Sequence, residues 1–335
     1  MKSIKTLLLL LIFPLISLAQ DFNVGERTIE YMDSSRNRPI KTEVWYPTFE
    51  TDSLNEKKTE LPFKLSPTIR NAKLVNKSFP LIVMSHGTGG NRFSLAWLAI
   101  ELAKNGYIVI APDHWGNTYD NKIPEYFVRY WERPLDINFL LTSILADKSI
   151  NSSIDDTRIG MMGFSFGGYT TLAIAGADIN CELIKEQTKT KAGKKEFKVS
   201  ELGDLRKLIS EINCSEPQKT FKDDRFKVFV AMAPALGLGL PDQSQNIKAP
   251  VLIIGAKNDR TTPIQTNAMK YHKLITGSEY FLLEGETGHY VFLNEGNKML
   301  QKRAKRYYRD DKSVKRSLIH EQVTKEVLSF LKESF

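Results

Sequence analysis

The chain has 335 residues, 41% hydrophobic and 26% charged, which excludes a disordered or fibrous protein and leaves enough length to bury a core without a metal or a disulfide framework. Its 47 Lys and Arg outnumber its 39 Asp and Glu, a net charge of +8 that argues only weakly for anionic partners.

Residues 1–19 have the form of an export signal. Lys2 and Lys5 precede an uncharged Leu-rich run, and Ser17-Leu18-Ala19 supplies the small residues of a cleavage site before Gln20. The run is too short to span a bilayer and contains Pro14. The expected mature chain, 20–335, is therefore periplasmic or secreted. In an oxidising compartment Cys181 and Cys214 are expected to pair, and the absence of Cys-x-x-Cys or His-rich spacing argues against a structural metal.

Two β-rich segments, 27–32 and 40–46, predict a hairpin around a polar turn at 34–39, and 49–77 reads as a surface excursion. Continuous apolar runs follow at 81–84, 107–110, 158–162, 228–232 and 251–254, the pattern of strands buried on both faces. Helical patterns at 93–104 and 135–145 alternate with them. The predicted fold class is therefore α/β: one domain with a mostly parallel sheet covered by helices on both sides. A Lys-rich stretch, 181–225, breaks the rhythm and reads as an inserted, strand-free cap. An amphipathic helix over 314–331 closes the chain.

Gly163-Phe164-Ser165-Phe166-Gly167-Gly168 lies directly after a buried strand and before an apolar helix. Small residues on either side of Ser165 permit the strained strand-to-helix turn that exposes a nucleophilic hydroxyl. Such a serine needs a base and an orienting acid. Asp259 follows the strand ending near 255, His289 follows a strand at 279–283, and the order Ser165, Asp259, His289 suits this arrangement. Glu284 and Glu286 compete with Asp259 for the acid role. Among the other histidines, His272 and His320 fall in helices as surface or packing residues, whereas His86 and His114 each follow a central strand and could line the pocket. The backbone N–H of Phe166 and that of Thr88, in His86-Gly87-Thr88-Gly89-Gly90, are the expected oxyanion donors.

The combined pattern resembles the α/β-hydrolase superfamily and, in detail, its secreted platelet-activating-factor acetylhydrolase and dienelactone-hydrolase-like branch. The residues that carry the likeness are Val44-Trp45-Tyr46-Pro47, Ser85 to Gly90, Arg92-Phe93-Ser94, Ala111-Pro112-Asp113-His114 with Gly116-Asn117-Thr118, and Gly163 to Tyr169. The resemblance implies a serine carboxylic-ester hydrolase with no cofactor. Dienelactone hydrolases proper use a cysteine where this chain has Ser165, which argues against that substrate. Phe93, Trp97, Trp115, Phe166 and Tyr290 adjoin the site loops and are expected to wall an apolar pocket for short-chain esters, with lipid or polyester substrates, a peptidase of the same fold, or a non-catalytic binding protein as alternatives.

Basic residues crowd 302–316 and 185–198. They read as solvated faces, with weak contact to an anionic membrane surface as the functional alternative; no recognition motif supports nucleic-acid binding.

Overall fold

The computed structural model describes residues 22–51, 62–216 and 220–335; the expected export signal lies outside them. Strands β1 (Asn23–Asp33) and β2 (Arg38–Thr48) pair antiparallel, from Asn23 opposite Thr48 to Asp33 opposite Arg38. Both run longer than the β-rich cores of 27–32 and 40–46. Their turn is closed by Asp33, whose Oδ1 accepts the N–H groups of Ser35 and Arg36, and by Asn37 at φ 51°, a conformation that asparagine tolerates.

The rest of the main sheet comprises β3 (Ile69–Arg70), β4 (Phe79–Ser85), β5 (Ile108–Pro112), β6 (Ile154–Phe164), β9 (Val228–Met232), β10 (Val251–Ala256) and β11 (Glu279–Leu283). The nine strands are ordered β11-β10-β9-β6-β4-β5-β2-β1-β3. From β5 to β11 every pairing is parallel, and β2 joins β5 antiparallel. The apolar runs are continuous because alternate residues enter different cores. Leu81 and Val83 of β4 pack toward α3 (Glu132–Ala146), α4 (Phe166–Ala175) and α8 (Ala268–Leu274), whereas Ile82 and Met84 pack toward α1 (Ala96–Lys104) and α11 (Arg316–Ser334). This is the α/β architecture read from the sequence.

Between β6 and β9 the segment from 181 folds into α5 (Cys181–Gln187), α6 (Lys191–Glu196) and α7 (Arg206–Ser210). It is not strand-free. Lys198–Val199 (β7) and Gly203–Asp204 (β8) form a small antiparallel pair, too short to register as an apolar run. Cys181 and Cys214 are disulfide-bonded, with Cα atoms 5.6 Å apart. Phe197, Leu205, Ile209 and Ile212 of this segment share a core with Tyr130, Trp131, Phe166 and Tyr169. The segment is therefore packed onto the helix that follows Ser165. Short helices α2 (Pro124–Val128), α9 (Lys298–Arg303) and α10 (Lys305–Tyr308) complete the surroundings of the site.

Candidate active site

The loops that leave β4, β6, β10 and β11 at their C-terminal ends meet above the sheet, where open parallel sheets place their ligands. Ser165 occupies the turn between β6 and α4 at φ 57° and ψ −116°, a strained backbone that holds its Oγ clear of the strand. The flanking glycines are sterically required: a Cβ on Gly163 would lie 2.1 Å from the carbonyl oxygen of Gly167. The turn is anchored to β9, since Ser165 N–H donates to Met232 O at 2.9 Å and Ser165 O accepts from Ala235 N–H at 3.0 Å.

His289 opens the turn His289–Phe292 after β11. Its Nδ1–H donates to Asp259 Oδ2 at 2.7 Å, which fixes the tautomer and leaves Nε2 to accept the Ser165 hydroxyl proton at 2.9 Å. Asp259 is held in turn by the N–H groups of Thr261 and Thr262, each 2.8 Å from Oδ1, and by the Thr262 hydroxyl, 2.9 Å from Oδ2. All three members are buried. Glu284 instead pairs with Lys257, and Glu286 accepts from Asn258 at 2.7 Å; neither bonds His289 among the described residues. The arrangement can move a proton from the serine hydroxyl to the imidazole while the carboxylate stabilises the imidazolium.

Ser165 and His289 open onto a cavity of about 600 Å³. Phe93, Phe166 and Tyr290 are among its walls, and Phe197, Leu205 and Ile209 from the 181–225 segment roof it. Thr88 also lines it, and neither the Thr88 nor the Phe166 N–H has an acceptor among the described residues. Both are free to take an incoming oxygen.

Trp97 and Trp115 require correction, because neither lines the cavity. Trp97 points off α1 toward the closing helix, stacking on His320 at 3.7 Å and donating Nε1–H to Phe292 O at 2.7 Å. Trp115 packs edge-on to Tyr126, 5.2 Å between ring centres, beneath the Arg38 guanidinium. His86 and His114 also stay behind the loops, buried in a polar network.

Three contributors to the cavity were not singled out for the site in the sequence. Glu196 of α6 accepts from Leu236 N–H at 3.2 Å and from Asn267 Nδ2 at 3.3 Å, and burial pushes its carboxyl up to about 7. Arg306 donates to Tyr290 Oη at 3.3 Å, and Tyr307 Oη donates to Glu201 at 3.0 Å, tying the cavity rim to the roof. Glu196 and Arg306 sit in basic runs that resemble solvated faces. In the run at 302–316 the other basic residues are exposed, as a solvated face requires, but Arg316 is buried and bonds Asp310 and the Tyr307 carbonyl at 2.9 Å.

A ferulic acid esterase from Streptomyces cinnamoneus superposes with a TM-score of 0.63, covering 95% of this chain and 91% of that one at 19% identity. The chain has the α/β-hydrolase fold. Residues 54–121 match the family model described as platelet-activating factor acetylhydrolase, isoform II, a span that includes the 85–90 and 111–118 motifs. Cutinase est1 of Thermobifida alba is 36% identical over 100 residues, 30% of this chain and 31% of that protein. Cutinase 2 of Thermobifida cellulosilytica is 25% identical over 215 residues, 63% of this chain and 61% of that protein. The chain thus spans 31% to 61% of the length of these curated relatives.

Proposed function

We propose that this α/β-hydrolase is a serine carboxylic-ester hydrolase working through an acyl-enzyme. Ser165 attacks the ester carbonyl, His289 takes its proton and returns it to the leaving alcohol, and Asp259 holds the imidazole and stabilises its cation. The N–H groups of Thr88 and Phe166 bind the oxyanion, and water then releases the acid. The observation that carries this reading is the unbroken hydrogen-bond line from Ser165 through His289 to Asp259, 2.9 Å and 2.7 Å, at the floor of a roofed apolar cavity. The cutinases among its relatives and the esterase sharing its fold support the same reaction class. The substrate is a small-molecule ester with an apolar group that fits beneath the 181–225 cap. Export to an oxidising compartment is consistent with the Cys181–Cys214 disulfide.

The test is labelling of the mature protein with a fluorophosphonate, alongside hydrolysis of p-nitrophenyl acetate. Labelling at Ser165 and turnover abolished by Ser165→Ala are expected. A folded protein that neither labels nor turns over any ester refutes the reading.

A further inference from the structure

Arg133 is a cation in an unusual place. It is the second residue of α3, where the helix dipole disfavours positive charge, and it is 1% exposed. No carboxylate lies within ion-pair distance of it among the described residues; the nearby Asp136 is engaged by Arg36, Arg38 and His114 instead. Burial lowers its pKa to about 9, so it remains charged at neutral pH. A buried cation without a bonded anion is costly unless its position serves the protein.

What the guanidinium touches is the backbone of the Thr88 loop. It donates to the carbonyl of His86, to the carbonyl of Gly87 at 3.1 Å and to Asn117 Oδ1 at 3.1 Å, and that same Asn117 oxygen accepts the Gly89 N–H at 2.9 Å. Its other face lies 4.5 Å above the ring of Phe166, the residue carrying the second free N–H. Gly87 O also accepts from His86 Nδ1–H at 2.7 Å and from Gly90 N–H at 3.1 Å. This carbonyl and the Thr88 N–H belong to one trans peptide unit, in which C=O and N–H point in opposite directions. Drawing the oxygen toward Arg133 therefore aims the N–H away from Arg133, and donors on the oxygen polarise the unit so that its N–H binds an anion more strongly.

We infer that Arg133 is a positioning residue for the oxyanion site, fixing and polarising the Gly87–Thr88 peptide so that the Thr88 N–H meets the charge that develops in the transition state. The inference rests on the proposed ester hydrolysis and assigns it a residue that contacts neither substrate nor triad. Such a residue acts on the transition state and not on ground-state binding, so its loss lowers kcat and leaves KM alone.

The test compares wild type, Arg133→Met and Arg133→Lys on p-nitrophenyl acetate and on the corresponding thionoester, whose sulfur is a poor acceptor for N–H donors. Folding is checked by thermal unfolding. Loss of one oxyanion donor costs about 10²- to 10³-fold in kcat. Arg133→Met is expected to lose about that much with KM within about twofold and with a reduced ester-to-thionoester ratio, because the aligned N–H favours oxygen. Arg133→Lys, which keeps the charge but cannot span three acceptors, should recover only part of the rate. An unchanged kcat, a loss confined to KM, or a lowered kcat with an unchanged ratio in a folded variant overturns the inference. So does failure of both variants to fold, which would make the role structural. Wild type that labels yet is inert to every ester refutes the ester substrate class instead, and its fluorophosphonate labelling rates still compare the variants.

Discussion

Gly167 and Ser85 are in backbone contact: a Cβ on Gly167 would lie 1.9 Å from the Ser85 carbonyl oxygen. The helix that starts after Ser165 is thus seated against the strand that leads into the Thr88 loop, and Ser165 and that loop share one rigid support. Neither neighbour is a flexible side chain that could yield. Gly167→Ala should therefore displace the turn, costing at least the 1 to 3 kcal/mol typical of overpacking and most of the activity. Thermal unfolding and fluorophosphonate labelling measure the two effects, and full labelling of a protein of native stability would show that the turn can relax.

The acid assignment gives a second prediction. Asp259→Asn keeps the shape of the side chain but removes the charge and favours the wrong imidazole tautomer, so kcat should fall on the order of 10⁴-fold without unfolding. Glu284→Gln and Glu286→Gln, whose carboxylates face Lys257 and Asn258, should stay within about twofold of wild type. Steady-state kinetics of the three variants decides between them.

The elements legible in the sequence were those whose cause is local. Continuous apolar runs exist because β4, β5, β6, β9 and β10 are covered on both faces, and the Gly-x-Ser-x-Gly spacing exists because two backbones touch at Gly163 and Gly167. Side-chain direction is not local. Trp97 adjoins the site in sequence yet leaves α1 on the face toward His320, and Trp115 turns to Tyr126. Arg133 had no sequence signal because its partners lie 47 and 46 residues upstream, in a loop whose carbonyls no sequence pattern marks. Glu196 was hidden among lysines that are exposed while it turns inward.

Glu196 supplies the pH prediction. Burial raises its pKa from the ordinary 4.5 to about 7, so the folded state favours the protonated form. The associated stability is fully present below about 4.5 and is lost as pH rises through about 7. Because Glu196 joins α6 to Leu236 and Asn267, the loss should fall on the cap's attachment. Hydrogen exchange of residues 181–216 should accelerate from pH 5 to pH 8 beyond the intrinsic rate in wild type, and Glu196→Gln, which stays neutral, should flatten that dependence. Equal slopes in the two proteins would remove Glu196 from the cap's pH response.

The disulfide joins residues 33 apart within the cap and does not cross to the sheet. Closing a loop of this length is worth roughly 3 to 4 kcal/mol in the chain-entropy model. Cys181→Ala with Cys214→Ala should therefore loosen the cap while the sheet retains its cooperative transition. Limited proteolysis is expected to cut within 181–225 first; cleavage beginning in the main sheet would contradict this.

The cavity sets the last prediction. At about 600 Å³, with Phe93, Phe164 and Tyr290 among its walls and Phe197 and Leu205 in its roof, it has apolar space beyond that of an acetyl group. Each methylene transferred from water into that space is worth about 0.8 kcal/mol, or roughly fourfold in kcat/KM. A p-nitrophenyl ester series should therefore climb from acetate, pass through an optimum when the space under the roof is filled, and fall once the chain must push against Phe197 and Leu205. Phe197→Ala should move the optimum to longer chains without reducing acetate hydrolysis, since Phe197 lies in the roof and belongs to neither the triad nor the Thr88 loop. The cap is fastened through Glu196 and shares a core with Phe166 and Tyr169, so it is not poised to swing away at a lipid surface. Activity should accordingly pass smoothly through the concentration at which a long-chain ester forms micelles, and an abrupt rise there would mean that the cap opens as a lid.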